Sequence, residues 1–353
     1  MTAAAATTSA PTRLADLTTL RVGGPAGRMV DARTEDELVA AVRDADGAGT
    51  PVLLVGGGSN LLVADEGVPG TVVRVRTEGI RLEDAFACAG ATVRVQAGHD
   101  WDDLVATAVT NGWAGLEALS GIPGSTGATP IQNVGAYGQE VAQTVATVRT
   151  WDRAEQRVRT LAAADCGFGY RHSRFKAEPG RFVVLSVVFQ LALSELSTPV
   201  TYAELAGALG LEVGQRAPLG RVREAVLGLR RRKGMVLDAA DHDTWSAGSF
   251  FTNPVLDDPA RLPPGAPRFP APAAGDGAVK TSAAWLIEHA GFSRGHGLPG
   301  RAALSTKHTL AVTNRGDATS ADLLRLAREV RDGVRDRFGI TLVPEPALVG
   351  CAL

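Results

Sequence analysis

Residues 120–138 read Ser120-Gly121-Ile122-Pro123-Gly124-Ser125-Thr126-Gly127-Ala128-Thr129-Pro130-Ile131-Gln132-Asn133-Val134-Gly135-Ala136-Tyr137-Gly138. Glycines and small hydroxyls dominate the stretch. Side chains at such positions would block close approach, so the pattern suits backbone pressed against a flat or anionic group, and a long irregular loop is the plainer alternative. An earlier cluster, Val55-Gly56-Gly57-Gly58-Ser59-Asn60-Leu61-Leu62, follows the apolar run 51–55. Its amides could form a concave phosphate nest, and a tight turn between strands would need the same residues. It is not a dinucleotide fingerprint, because Leu61 stands where the third Gly or Ala belongs, and no GK[ST] makes it a phosphate loop of the NTPase kind.

The composition around these loops is that of a globular chain. There are 353 residues, 45% apolar and 21% charged, with a net charge of −2 and a pI near 6.3. That length suggests about two or three domains. Lys+Arg (36) and Asp+Glu (38) nearly cancel, which argues against a nucleic-acid-binding surface. Cys88, Cys166 and Cys351 lie far apart in sequence. They form no disulfide framework and fit a reducing compartment. The histidines show neither HxH nor HExxH spacing, so no metal site is expected. No apolar run approaches the ~18 residues of a membrane helix. The leader MTAAAATTSAPT lacks a basic region followed by an apolar one. It is expected to be disordered over residues 1–12, in a cytoplasmic protein.

Periodicity supplies the elements. Residues 27–32 read as a strand, and Thr34 with Glu37 reads as a reciprocal capping box opening a helix through Leu38, Ala41, Val42 and Ala45. Residues 72–76 and 92–96 alternate as strands with one wet face. Asp100 caps a helix ending at Asn111-Gly112. Residues 218–233 form a helix ending in Arg230-Arg231-Arg232-Lys233, whose charges would complement its C-terminal dipole. Residues 259–277, rich in Pro, Gly and Ala, read as a surface loop. His242, between Asp241 and Asp243, is expected to be solvated. Thr281 or Ser282 caps a helix through Trp285, Ser320 caps the last helix, Gly339 stops it, and 340–343 form a final strand. A domain boundary is expected near 195–215.

The two glycine clusters, in this order and spacing, resemble the UDP-N-acetylenolpyruvoylglucosamine reductases, the MurB family. Tyr170-Arg171-His172-Ser173-Arg174-Phe175-Lys176, Gly248-Ser249-Phe250-Phe251-Thr252-Asn253-Pro254 and Pro344-Glu345-Pro346 match further family signatures in order. The resemblance covers roughly residues 15 to 353. It implies an α+β fold. A flavin-binding domain of the vanillyl-alcohol-oxidase (PCMH) type, in two lobes over 13–200, precedes a smaller α+β substrate domain over 201–353, whose last strand returns Glu345 to the site. It also implies non-covalent FAD, since the glycine loops hold no His or Cys, and NADPH as hydride donor. Gly56, Gly57, Gly58, Ser59, Asn60, Leu61, Ser120, Gly121, Ile122, Gly124, Ser125, Gly127, Ala128, Gly135 and Arg230 would contact FAD. The reaction the resemblance implies would pass hydride from flavin N5 to C3 of the enolpyruvyl ether of UDP-N-acetylglucosamine, and a proton to C2.

Charge accumulates on a group already anionic in that addition, so the site needs preorganised donors. Arg171 resembles the residue that meets the carboxylate, its planar fork suited to bidentate contact. Read without the family, it is a surface arginine beside two aromatics. Ser249 resembles the proton donor and Glu345 the third catalytic group, on a segment stiffened by Pro344 and Pro346. Glu345 either is protonated by burial or stays ionised to orient Arg171. Tyr202 and Lys233 match residues at the diphosphate and Asn253 one at the uridine side. Tyr202 with Ala136-Tyr137-Gly138 resembles the subtype that carries a tyrosine-bearing loop. Thr252 and His289 depart from residues common in the family. The implied partner is a UDP-sugar, with no nucleic acid or membrane, and a monomer is expected. The competing readings are another flavin oxidase on the same fold and a non-catalytic nucleotide-binding module.

Overall fold

The computed structural model describes residues 12–87, 89–271, 275 and 277–353. The leader expected over 1–12 lies, apart from Thr12, outside them, as do Cys88 and part of 259–277. Seven α-helices are described: α1 (Glu35–Gly47), α2 (Trp101–Thr110), α3 (Arg174–Ala177), α4 (Ala203–Leu209), α5 (Leu219–Arg232), α6 (Ala283–His289) and α7 (Ser320–Phe338). None is long and apolar enough to cross a membrane.

The first lobe is a parallel sheet in which Val68–Val75 lies between Ala26–Ala32 and Val52–Val55. Helix α1 covers it through Leu38, Ala41 and Val42, which share a core with Ala32, Val73 and, from the second lobe, Trp151 and Val183. The alternation expected over 72–76 is absent, and Val72 and Val73 are both buried. A central parallel strand covered on both faces has no wet side. The Thr34 hydroxyl caps the Glu37 amide at 3.1 Å, but the Glu37 carboxylate takes the amide of Arg33, at 2.7 Å, instead of that of Thr34.

The second lobe is an antiparallel sheet ordered Arg157–Ala162, Val145–Asp152, Phe182–Leu193, Gly90–Gln96, Ile80–Phe86. Asp100 caps α2 as expected. Trp101, Leu104 and Val105 of α2 pack on Val93, Val187 and Phe189. Helices α4 and α5 form a small core of their own with Val200 and Ala118.

The C-terminal part packs α6, α7 and the hairpin Ala302–Leu304/Val312–Asn314 around Phe250, Phe251 and Leu286. Leu20, Val22 and Leu62 enter the same core from the start of the chain. Three expectations change here. Residues 340–343 join no strand ladder. The strand comes after Pro346, as Ala347–Val349 pairing in parallel with Leu61–Val63. Within 259–277, Phe269–Pro270 pairs antiparallel with Val279–Lys280. His242 is half-buried, its ring 4.3 Å from that of Trp245.

The cap of α7 also differs. Thr319 is the N-cap, in a reciprocal box with Asp322. Ser320, in the first turn, instead donates its hydroxyl to Asp65 Oδ2 at 2.7 Å and its amide to Asp65 Oδ1 at 2.9 Å. Asp65 follows the strand Leu61–Val63, so this clamp ties that strand to α7. Asp65→Ala removes both acceptors at a helix N-terminus. We expect urea unfolding to show a loss of about 1–2 kcal/mol. Unchanged stability would mean the clamp contributes nothing.

Candidate active site

The glycine loops meet each other. A Cβ on Gly57 would lie 2.6 Å from Gly124 Cα, one on Gly56 2.1 Å from Ser125 Oγ, and one on Gly58 1.8 Å from the Leu17 carbonyl oxygen. Only hydrogen fits, so the two loops close into one backbone surface with Ser59 Oγ facing Gly124. Gly127 abuts Ala97 and Gly121 abuts Leu227 in the same way. The Ser120 hydroxyl is buried and turned back onto the Glu117 carbonyl oxygen, at 2.7 Å. Ile122 is partly buried, Ala128 is exposed and Leu61 opens its strand.

Beside this surface, Thr126 Oγ1 and Arg230 Nε are buried with no hydrogen-bond partner among the described residues. Buried polar atoms ordinarily find partners. A glycine cradle flanked by unpartnered donors fits a flat, phosphate-bearing cofactor such as FAD. Arg230 does hold the Met235 carbonyl oxygen at 2.7 Å. Burial pulls its pKa down to about 10, against Tyr137 and Asp102, so it remains a cation.

Arg171 sits with φ +52°, a left-handed backbone uncommon for a side-chain-bearing residue and held only where its surroundings enforce it. Lys176 Nζ donates to its carbonyl oxygen at 3.0 Å. Its own NH2 group donates to the Gly135 carbonyl at 2.8 Å, and its Nε lies 3.0 Å from Glu345 Oε1. The Ser173 hydroxyl, capping α3, donates to the Ile131 carbonyl. The signature around Arg171 thus docks onto the end of the long glycine loop. Glu345 is fixed from its own backbone: its amide donates to the Phe250 carbonyl at 2.8 Å. Asn60 Nδ2 donates to the Glu345 carbonyl at 3.2 Å and to Gln132 Oε1 at 3.0 Å, and Gln132 Nε2 donates to Glu345 Oε1 at 3.3 Å. Asn60, expected at the flavin, is here a brace for Glu345.

Ser249 lies between Gly248, with φ +70°, and Phe250, whose carbonyl holds Glu345. Its partly buried hydroxyl makes no hydrogen bond among the described residues. Asn253 packs on the other flank. Its Oδ1 accepts the Ala283 amide at the start of α6, at 2.9 Å, and its own amide donates to the Tyr170 hydroxyl at 3.4 Å.

Lys280 Nζ stands 4.3 Å from the Tyr170 ring centroid. Lys280, Lys176 and Gln132 were not singled out from sequence. The latter two stand inside the quoted signatures, whereas Lys280 follows the loop 259–277 with no motif around it. Thr252 is half-exposed beside Val343, and His289 stacks on Trp285 with centroids 3.8 Å apart.

A second group gathers around the tip of the hairpin formed by Gly135–Ala136 and Gln139–Glu140. Tyr137 meets Tyr202 edge-on with centroids 5.6 Å apart. Lys233 Nζ is 5.7 Å from the Tyr137 centroid and pairs with Glu204 at 2.6 Å. Tyr202 precedes α4 and is 46% exposed, so it is available to a ligand. Burial pushes the Tyr137 hydroxyl up to about 12, against the nearby Arg230.

Burial also raises the Glu345 carboxyl above the usual carboxylate range, against the pull of Arg171 and Lys176. A group whose pKa is higher folded than unfolded stabilises the fold below its unfolded value, and that contribution is lost as pH rises through the folded value. Glu345→Gln keeps the neutral shape without titrating. Its melting temperature relative to wild type should therefore rise as pH is raised above the ordinary carboxylate range. A difference that does not change with pH would mean that burial does not govern this carboxyl.

Comparison with known proteins agrees with this arrangement. Residues 26–161 match the model of an FAD binding domain, and residues 240–349 match that of the UDP-N-acetylenolpyruvoylglucosamine reductase C-terminal domain. The UDP-N-acetylenolpyruvoylglucosamine reductase of Cutibacterium acnes is 59% identical over 342 residues, spanning 96% of this chain and 90% of the relative. That of Streptomyces coelicolor is 57% identical over 355 residues, with the same coverage. The crystal structure of MurB from Thermus caldophilus superposes with a TM-score of 0.65 at 27% identity, covering 96% of this chain and 98% of that one. With such identity across nearly its whole length, the chain belongs to the UDP-N-acetylenolpyruvoylglucosamine reductases, FAD-binding oxidoreductases of peptidoglycan precursor synthesis.

Proposed function

We propose that the protein reduces the enolpyruvyl ether of UDP-N-acetylglucosamine to UDP-N-acetylmuramate at the site formed by Arg171, Glu345 and Ser249. The observation that carries this reading is Arg171, clamped in a left-handed backbone with its guanidinium against a mostly buried Glu345 at 3.0 Å. The chemistry the flavin supplies when bound is hydride, taken from NADPH and delivered to C3. The chain's own task is to make negative charge tolerable at the neighbouring carboxylate and to protonate C2.

Arg171 offers five N–H donors. Contacts to Glu345, Gly135 and the more distant Asn133 carbonyl leave others for a substrate carboxylate. Those partners fix the fork before substrate arrives, so little reorganisation is needed as the enolate forms. Glu345 Oε1 faces Arg171 Nε and accepts from Gln132. The proton of a neutral Glu345 therefore belongs on Oε2, from which it can donate to the substrate carboxylate. Ser249 hands its proton to C2. A serine hydroxyl is a weak acid, so this role depends on close placement and on the basicity of the carbanion.

Tyr202 and Lys233 take the diphosphate, Lys280 adds a cation on the Tyr170 side, and Asn253 serves the uridine end. The tyrosine pair supports assignment to the subtype with a tyrosine-bearing loop. The division into a flavin-binding part over 13–200 and a substrate part over 201–353 belongs to the same reading, with the hairpin at Gly135 bridging them.

The test is spectroscopic. Purified holoenzyme should lose its visible flavin bands on anaerobic addition of NADPH and regain them on addition of the enolpyruvyl ether. In Ser249→Ala the bleaching should be nearly unchanged, while recovery slows by about a thousand-fold or more, because a contact made only in the transition state is lost. Equal slowing of both steps would refute the role of Ser249, and recovery with oxygen alone would favour another flavin oxidase.

A further inference from the structure

Glu117 is 1% exposed, yet its carboxylate has no cationic partner among the described residues and no part in the chemistry above. It is saturated by hydrogen bonds instead. Oε2 accepts the Gly115 amide at 2.6 Å. Oε1 accepts the Thr198 amide at 2.9 Å and Gln139 Nε2 at 3.0 Å. Gln139 Nε2 also reaches the Thr198 hydroxyl at 2.8 Å, and Gln139 Oε1 takes the Ala118 amide at 2.8 Å. Three chain segments meet at this one side chain. The segment at 115–118 belongs to the glycine-loop side. Gln139 stands on the hairpin that presents the Gly135 carbonyl to Arg171 and Tyr137 to Tyr202. Thr198 lies just before Tyr202. A cavity of about 390 Å³ lies beside the junction, reaching Tyr137, Gly138 and Thr201. The cavity leaves one side of the junction unfilled, so the hydrogen bonds of Glu117 and Gln139 supplement the contacts of Gly138 and Tyr137 with the 201–202 segment.

We infer that Glu117 is a positioning residue of the substrate site: its buried carboxylate ties the hairpin of Gly135 and Tyr137 to the segment leading into Tyr202, so that the carboxylate-binding and diphosphate-binding ends keep one register. Gly138 leaves no slack in this joint, since a Cβ there would lie 2.3 Å from Thr201 Oγ1. Glutamine at 117 keeps the shape but has one acceptor oxygen instead of two, so its NH2 must face donors either at Gly115 or at Thr198 and Gln139, which loosens the three-way junction. The inference rests on the diphosphate reading of Tyr202.

Binding of the enolpyruvyl ether is titrated by the change in the visible flavin band, in wild type, Glu117→Gln, Tyr202→Phe and the double variant. Glu117→Gln should retain its flavin and bind about ten-fold more weakly. Tyr202→Phe should weaken binding in wild type but by less than about two-fold in the Glu117→Gln background, since a mispositioned tyrosine has little left to lose. Glu117→Gln that melts earlier but binds as wild type would overturn the inference, as would an equal cost of Tyr202→Phe in both backgrounds. If Tyr202→Phe costs nothing in wild type, the diphosphate reading of Tyr202 fails, and the affinity of Glu117→Gln alone decides: a ten-fold loss supports a positioning role and no loss ends it. Should Glu117→Gln not fold, Thr198→Val removes only the bridging hydroxyl. An affinity loss of about three-fold would then support the inference and an unchanged affinity would overturn it.

Discussion

Arg171 and Glu345 meet at 3.0 Å, with most of both side chains withdrawn from water. Groups so placed are held stably only if further hydrogen bonds complete each partner, because a polar or charged group withdrawn from water and left unpaired is costly. The surroundings provide this completion: Gly135 on the guanidinium, Gln132 on the carboxylate, and Asn60 linking Gln132 to the glutamate backbone. Each of these residues lies in or beside a glycine loop. The loops thus carry, besides their glycines, the groups that hold Arg171 and Glu345 in place.

The glycines of these loops answer two demands at once. Gly56, Gly57 and Gly58 are required by contacts within the protein before any ligand is considered. The same absence of side chains would let a phosphate-bearing group approach the backbone closely. Tight packing and ligand binding are not rival explanations here. Packing loop against loop is what creates the surface, and Thr126 Oγ1 and Arg230 Nε beside it are buried without hydrogen-bond partners among the described residues.

How much was legible in the sequence depended on how local the cause was. The caps at Asp100 and Ser282 and the stop at Gly339 rest on neighbouring residues and were readable. The long strand Phe182–Leu193 carries a run of consecutive buried residues from Phe182 to Phe189 instead of alternation. It is covered on both faces, and so gave no period-two signal. Ser320 looked like a cap because the residue that claims its hydroxyl, Asp65, is 255 positions away. The same holds at the site. Arg171, Ser249 and Glu345 stood out through their motifs, whereas the bracing roles of Asn60 and Glu117 and the place of Lys280 depend on contacts across the fold.

The segment bearing Glu345 is built in by the parallel pairing of Ala347–Val349 with Leu61–Val63, and the Asn60 contact to Glu345 spans 285 positions. Closing an open loop of that length costs on the order of 5 kcal/mol in chain entropy. Contacts of such high separation form late, after the intervening parts have drawn their ends together. The flavin-side lobes rest on shorter-range pairings and can assemble first. The carboxyl group of the site is then among the last features built in, since its contacts wait for two distant ends of the chain to meet.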